Sequence, residues 1–250
     1  MCRGFFYFPK HPIIRYNPFI MAKTIATFDL EKKFLAEGYA YVLGTDEAGR
    51  GPLAGPVVAA AAIVRKLSTA QPSEETGSSS MWDLVRDSKT LSEKQREKVF
   101  DFIHENFYIG VGLCDHRTID EINILEASFL AMKKAVTDLK TKFRQELPDF
   151  DNNIILVDGN KKIPNLSLFQ QSVIGGDRIV KSISAASIIA KVMRDRMMLE
   201  AHAKYPEYGF AKHKGYGTKQ HMEALQQFGP CEIHRQTFEP MPTLAKKRKR

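Results

Sequence analysis

The sequence predicts an α/β fold, and three observations carry that prediction. Tyr41–Thr45, Val57–Val64 and Ile154–Val157 are apolar runs of strand length without polar alternation, as expected for strands buried on both faces. Between and after them lie long segments with apolar residues at steps of three and four, the period of an amphipathic helix. The run at 154–157 follows such a helix, as a strand entered by a parallel crossover would.

In chain order, residues 1–28 hold many aromatics and Pro9, Pro12 and Pro18, with no continuous apolar stretch of the kind a secretory signal needs. They are expected to be a disordered arm or a misassigned start, with translation beginning at Met21. Asp29–Tyr39 reads as a short helix leading into the first strand. Residues 67–81 (LSTAQPSEETGSSSM) are polar and aperiodic and read as a loop. Ser92 and Gln95 form a capping box that opens a helix ending near Asn106. Tyr108–Cys114 is a third strand, and Ile122, Leu125, Phe129, Met132, Val136, Leu139 and Phe143 mark one face of a long helix. Leu168–Ile174 is a further strand, followed by a long helix with a buried stripe from Ile179 through Ile183, Ala186, Ala190 and Met193 to Met197. On its adjoining face Asp177, Lys181, Ser184, Lys191 and Asp195 are expected to align. Thr218–Phe228 reads as the last helix.

Composition excludes some classes. The net charge is +8, but nine positive charges lie in residues 1–28 and in Lys-Lys-Arg-Lys-Arg at 246–250, leaving −1 (8 − 9) for the body. Bulk charge therefore does not argue for a nucleic-acid partner; only local placement can. Three scattered cysteines make no disulfide framework and suit a reducing cytosol, so the expected location is cytoplasmic. Cys231 and His234 are half of a zinc spacing that has no second half. The longest apolar run, Val57–Val64, is far short of the ~20 residues of a membrane helix.

The chemistry centres on residues 41–64. Asp46 and Glu47 stand where the first strand should end, and adjacent carboxylates favour a hard divalent ion between them. Because neighbouring strand residues point to opposite faces, the strand is expected to bend or end there so that Glu47 can reach round its edge. Gly49, Gly51 and Gly55 allow close approach by another molecule, or simply serve a wide turn. They fit neither the phosphate-loop nor the dinucleotide spacing. Asp158 closes a buried strand, a frequent active-site position in open α/β sheets. Asp177 is a helix-start carboxylate and an ordinary cap at the same time. Ser88 and Lys89 precede a helix N-terminus, a favourable place for phosphate. Tyr216, set between glycines, can stack on a sugar or base.

DEAGRGPLAGPVVAAAAIV (46–64) resembles the signature of the ribonuclease HII family of type 2 ribonucleases H. The resemblance continues through DSKTLSEKQR (87–96), IDEINILEAS (119–128), ILVDGN (155–160), ISAASIIAKVMRD (183–195) and HKGYGT (213–218), covering roughly residues 30–240. It implies a ribonuclease H-like fold: a five-stranded mixed sheet flanked by helices over 29–240, with a C-terminal helical extension and a basic tail at 241–250. It implies that Asp46, Glu47, Asp158 and Asp177 hold two Mg²⁺ or Mn²⁺ ions, with Asp195 in support. The implied activity is hydrolysis of RNA paired with DNA and incision 5′ of a lone ribonucleotide in duplex DNA, leaving 3′-hydroxyl and 5′-phosphate ends. Gly49-Arg50-Gly51 resembles the loop that senses the 2′-hydroxyl, Tyr216 the residue packing on the next nucleotide, and Ser88, Lys89 and Lys181 phosphate contacts. A monomer is implied, with a replication-clamp contact through the C-terminus.

The sequence departs from the family pattern in two places. Gly175 stands where a Lys is frequent, with Arg178 as the expected substitute, and loop 67–81 is longer than usual. Three other readings compete, one of them a basic-tailed nucleic-acid binder working through 246–250, which predicts loss of function on trimming the tail where a reduced salt dependence of binding is expected instead. Ribonuclease HIII is disfavoured by Arg50 and the short N-terminal extension, and a non-catalytic hybrid-binding module by four intact carboxylates.

Overall fold

In a computed structural model, residues 14–15, 26–67 and 81–248 are described, 14–15 and 245–248 by backbone alone. Five principal strands, β2 (Tyr41–Ala48), β3 (Val57–Val64), β4 (Phe107–Cys114), β5 (Asn153–Asp158) and β6 (Phe169–Ile174), form the mixed sheet. A two-residue strand, β1 (Ile14–Arg15), pairs parallel with Val173 and Ile174, giving the order β1-β6-β5-β2-β3-β4. Thus two residues of the N-terminal extension have a place on the sheet edge; most of the rest of 1–28 lies outside the described residues. So does the loop expected at 67–81, apart from its end residues.

The sheet is antiparallel across β2-β3-β4 and parallel across β2-β5-β6. Its sides are covered by α1 (Asp29–Ala36), α2 (Met81–Leu84), α3 (Glu93–Asn106), α4 (His116–Lys142), α5 (Gly176–Ile179) and α6 (Lys181–Lys204). The alanines of β3 show why two helices come so close. Ala59 and Ala61 face the layer of Met132, Ala135 and Leu139 on α4, while Ala60 and Ala62 face Ala186, Ile189 and Ala190 on α6. Strand periodicity sends alternate residues to opposite cores, and small side chains let both helices press in.

Glycines mark the tightest approaches. A Cβ at Gly110 would lie 2.2 Å from the Ala135 carbonyl oxygen, and one at Gly44 would lie 2.2 Å from the Ser182 backbone carbon. The outer edge of β4 is screened by its neighbours: the Val111 N–H donates to Asp138 (2.8 Å), Lys134 donates to the Leu113 carbonyl (3.0 Å), and Arg65 to that of Phe107 (3.2 Å). Unpaired edge groups that would otherwise invite another strand are thereby occupied.

The capping box at Ser92 and Gln95 is present in full. Helix α4 begins earlier than its apolar stripe suggests and is interrupted at Asn123, whose φ of 67° breaks the helix. The Asn123 side chain then accepts from the N–H groups of Leu125 and Glu126 (2.9 and 3.2 Å), restarting it as an N-cap does.

The predicted helix from Ile179 onward is two helices, because Val180 is extended between α5 and α6. The C-terminal part, α7 (Phe210–His213), α8 (Lys219–Phe228) and α9 (Met241–Arg248), packs around Leu53, Ala54, Met198, Tyr208 and Phe210. The expected tail boundary at 241 is therefore too early: Met241 is buried and Leu244 joins this core. No helix among the described residues is long and apolar enough to cross a membrane.

Candidate active site

The site is built at the end of the sheet where β5 stops before β2. Thr45 still pairs with Val157, but Asp46, Glu47 and Ala48 pair only with Ala60, Ala59 and Val58 of β3. The strand does not end there: β2 continues through Ala48. Its last residues pair with β3 beyond the point where pairing with β5 stops, so both carboxylates can flank the end of β5 from opposite faces. Asp46 is buried on the α6 side, where the Ser187 hydroxyl steadies its charged form. Glu47 faces the α4 side and lines a small cleft of about 80 Å³ with Arg50, Leu125, Phe129, Met132 and Asp158.

Asp158 ends β5 and fastens the next piece. Its Oδ1 accepts from the N–H groups of Gly176 (2.7 Å) and Asp177 (3.4 Å), pinning the turn after β6 against β5. Gly175 adopts a left-handed conformation with φ 68°. A Cβ at Gly176 would lie 2.5 Å from Ile183 and 3.3 Å from the Asp158 carboxylate. The Gly-Gly pair thus lets Asp177 approach Asp158, and in this chain it does so with no Lys at position 175.

Crowding shows in the acidities. Burial, followed by the charges of Asp158 and Glu47, holds the Asp46 carboxyl well above its ordinary range. Burial and then Asp177 and Glu47 push Asp158 up to about 6. Burial also raises Glu47, although Arg50, 3.1 Å away, opposes it. Lys89 lies 3.2 Å from Asp177; burial works against its charge, but Asp177, Asp46 and Asp87 outweigh that and raise its pKa.

The four acids suit a hard dication by donor chemistry: all oxygens, partly desolvated, and mutually repelling until a positive charge joins them. Among the described residues no three His, Cys, Asp or Glu side chains yet converge on one point. Glu47 is drawn to Arg50 and Asp177 to Lys89, so an ion would compete with those two cations.

Other expected residues fall less uniformly. Tyr216 is 46% exposed, and a Cβ at Gly51 would come within 3.6 Å of its ring, so ring and glycine loop are neighbours. Ser88 is buried and shares a hydrogen bond with Ser187 (3.0 Å), which places it behind Asp46. Lys181 is not available to a phosphate: its Nζ donates to the carbonyls of Trp82 (2.6 Å) and Val85 (3.0 Å). The break at Val180 turns it off the Asp177 face.

Asp195 likewise does not join the four acids. It pairs with Lys191 (2.6 Å) and Arg96 (3.8 Å), tying α6 to α3. Cys231 and His234 do meet, with Sγ 3.2 Å from Nδ1, but His234 spends its other nitrogen on His221 (3.0 Å), leaving a hydrogen-bond chain and no metal site.

The reading of the sequence missed two buried arginines. Arg194 and Arg235 lie beneath the glycine loop and donate to its carbonyls. No local spacing marks them; the only signal is a cation in segments otherwise destined for the interior.

A mixed sheet flanked by helices is shared with solved type 2 ribonucleases H. Ribonuclease H2 from Pyrococcus horikoshii matches with TM-score 0.60 and 28% identity over 84% of this chain and 99% of that one. Bst-RNase HIII in complex with Mn²⁺ shares the fold at TM-score 0.61 and 18% identity, over 85% of this chain and 72% of that one. The family model for ribonuclease HII matches residues 43–241. Ribonuclease HII of Caldicellulosiruptor bescii is 50% identical over 84% of this chain and 92% of its own length, and that of Acholeplasma laidlawii 45% identical over 89% and 99%. The chain belongs to the ribonuclease HII family, and it is an endonuclease of the ribonuclease H type.

Proposed function

We propose that the chain hydrolyses the RNA strand of RNA/DNA hybrids and also incises 5′ of single ribonucleotides in duplex DNA, leaving 3′-hydroxyl and 5′-phosphate ends. The observation that carries this is the gathering of Asp46, Glu47, Asp158 and Asp177 at one sheet end in a chain of the ribonuclease HII family. These four residues would hold two Mg²⁺ or Mn²⁺ ions. Such a pair supplies an activated water and neutralises charge on the phosphate being displaced.

The chain's own groups do the rest. Burial of Asp46 and Asp177 keeps bulk water from competing for their oxygens. Lys89 and Arg50 stand beside the acids and are free to exchange a carboxylate for a backbone phosphate as the ion site fills. Tyr216, half exposed next to Gly51, offers a flat face on which a nucleotide can stack while the glycine loop meets the ribose.

The test is cleavage of a labelled DNA duplex containing one ribonucleotide, with Mg²⁺, Mn²⁺ or EDTA, by wild type and Asp46→Asn. Metal-dependent cutting 5′ of the ribonucleotide, lost in the variant, is expected. Cutting only within longer RNA stretches would instead assign a different ribonuclease H specificity. Tight hybrid binding with no cutting would assign a binding module.

A further inference from the structure

We propose that Arg235, supported by Arg194, is the positioning residue that aims the Gly49-Arg50-Gly51 loop at the ribonucleotide. The inference rests on the reading above that this loop meets the substrate. Arg235 is fully buried and lies 186 residues along the chain from Gly49. Its guanidinium donates to the carbonyls of Arg50 (Nη1, 2.8 Å), Gly49 (Nη2, 2.5 Å) and Gly55 (Nε, 3.1 Å; Nη2, 3.0 Å). Arg194, equally buried, donates to Pro56 (3.0 Å), Ala54 (3.1 Å) and Lys214 (3.0 Å).

Neither arginine forms an ion pair among the described residues, so each cation is held by carbonyl dipoles. This is a costly arrangement for mere packing, since a buried charge without a counterion carries a desolvation penalty on the order of several kcal/mol. Burial pulls the Arg235 pKa down to about 9, which still leaves it charged at neutral pH.

The consequence follows from the planar trans peptide. The only cis bond among the described residues is Glu239-Pro240, so in each loop peptide the carbonyl and the following N–H point in opposite directions. With the Gly49 and Arg50 carbonyls turned onto Arg235, the N–H groups of Arg50 and Gly51 must point away from it. Two consecutive amides aimed outward over a buried cation make a concavity for an electron-rich oxygen. That oxygen belongs to the ribonucleotide, whose 2′-hydroxyl can both accept and donate.

The geometry leaves no slack. Gly49 has φ 102°, and a Cβ there would strike Arg194 Nε at 2.2 Å. The main chain of the arginine is also fastened to the loop: its N–H donates to Leu53 (2.9 Å), and His234 bridges Ala54. Arg235 therefore acts through the loop, without touching the reacting atoms.

Binding in EDTA, where no cleavage occurs, tests the idea. Wild type and Arg235→Lys are titrated with a duplex carrying one ribonucleotide and with the same duplex in DNA throughout. A lysine's donors radiate from one nitrogen and cannot reproduce the four contacts that the planar guanidinium makes from three, so Arg235→Lys is expected to lose at least tenfold of the ribonucleotide preference while its Mg²⁺ titration by calorimetry is unchanged. An unchanged preference would overturn the role of Arg235.

Should that variant fail to fold, the amide signals of Arg50 and Gly51 in ¹⁵N-labelled wild type give an independent reading. They are expected to shift with the ribonucleotide duplex and not with the all-DNA duplex. No differential shift would overturn the assignment of the loop to the substrate, and with it the role of Arg235. A differential shift in wild type with an undiminished preference in Arg235→Lys would leave the loop in place and remove only the arginine.

Discussion

The acidic sheet end and the C-terminal cap bury polar groups in opposite ways. At the sheet end, carboxylates crowd together, raise one another's pKa and rely on two flexible cations for partial relief. In the cap, the buried arginines and the His221–His234 pair have partners of the right kind. Arg194 and Arg235 have carbonyls, and His221 gives its Nδ1 proton to the Tyr216 carbonyl (2.9 Å) while its Nε2 accepts from His234. The Cys231 N–H completes that chain at His234 Nδ1 (2.9 Å). An unsatisfied sheet end is what the proposed ion site needs, and a satisfied cap is what holding a shape needs. The contrast fits the proposed division, with chemistry in the first region and positioning in the second.

The strongest way to break the comparison is to unseat the helix that serves both regions. Helix α6 carries Ser187 toward the acids and Arg194 toward the cap. Gly44→Ala would drive a Cβ into the Ser182 backbone, which cannot move as a side-chain tip can. A loss of about 3 kcal/mol or more is expected, read from the urea midpoint at unchanged slope. A near-neutral result would show that α6 is not seated as described.

Asp46→Asn separates the regions by sparing the cap. Cleavage should fall by more than about a hundredfold, since even outer partners of a metal site are worth 10–100-fold. Thermal stability without metal should rise, because a buried carboxylate among like charges is removed. Parallel loss of activity and stability would mean that Asp46 holds structure instead.

The two regions should also titrate in opposite senses. Asp158, raised from 3.8 to about 6, and Glu31, raised by burial from 4.5 to about 7, contribute stability below their unfolded pKa values that is lost as pH rises through the folded ones. His221 and His234, lowered by burial from 6.5 to about 4, contribute stability above pH 6.5 that is lost as pH falls through about 4. In metal-free wild type these slopes oppose each other between pH 4 and 6.5. Asp46→Asn should tilt the balance toward the histidines, so that Tm climbs by several degrees across this window; ~1 kcal/mol moves a domain of this size by about 2–4 °C. An unchanged profile would refute the coupling of Asp46 to Asp158.

A finer comparison lies within His221. Asn keeps a donor near the Nδ1 position and so the link to Tyr216, whereas Gln keeps only the acceptor toward His234. His221→Gln is expected to raise KM for the ribonucleotide duplex several-fold at similar kcat, and His221→Asn to raise it less. Equal effects would reduce the histidine to packing. The smallest effect is expected from trimming 246–250, which removes five positive charges and should lower the salt dependence of binding with little change in cleavage. Unchanged salt dependence would end the case for the tail.

Much of the site was legible because its chemistry is local. Asp46 and Glu47 stand in one strand, Asp158 terminates another, and Ser92 and Gln95 cap a helix in the way their spacing demands. The errors arose where a local pattern continued past a change of direction. The stripe from Ile179 runs smoothly across Val180, so the sequence hides the break that separates Asp177 from Lys181 and turns the lysine toward Trp82. Asp195 was readable as one more acid on a face; only the packing of α3 shows that Arg96 and Lys191 claim it.

By itself the sequence determined the strands and the main helices and singled out the four acids proposed as the site, since periodicity, capping and carboxylate chemistry are all expressed within a few residues. The tertiary structure alone decided that β2 outruns β5, which lets neighbours on opposite strand faces share one site. It alone brought Arg235 beneath Gly49. Contacts of that kind depend on how the closed chain meets itself, and the pattern of residues around either partner carries no record of the other.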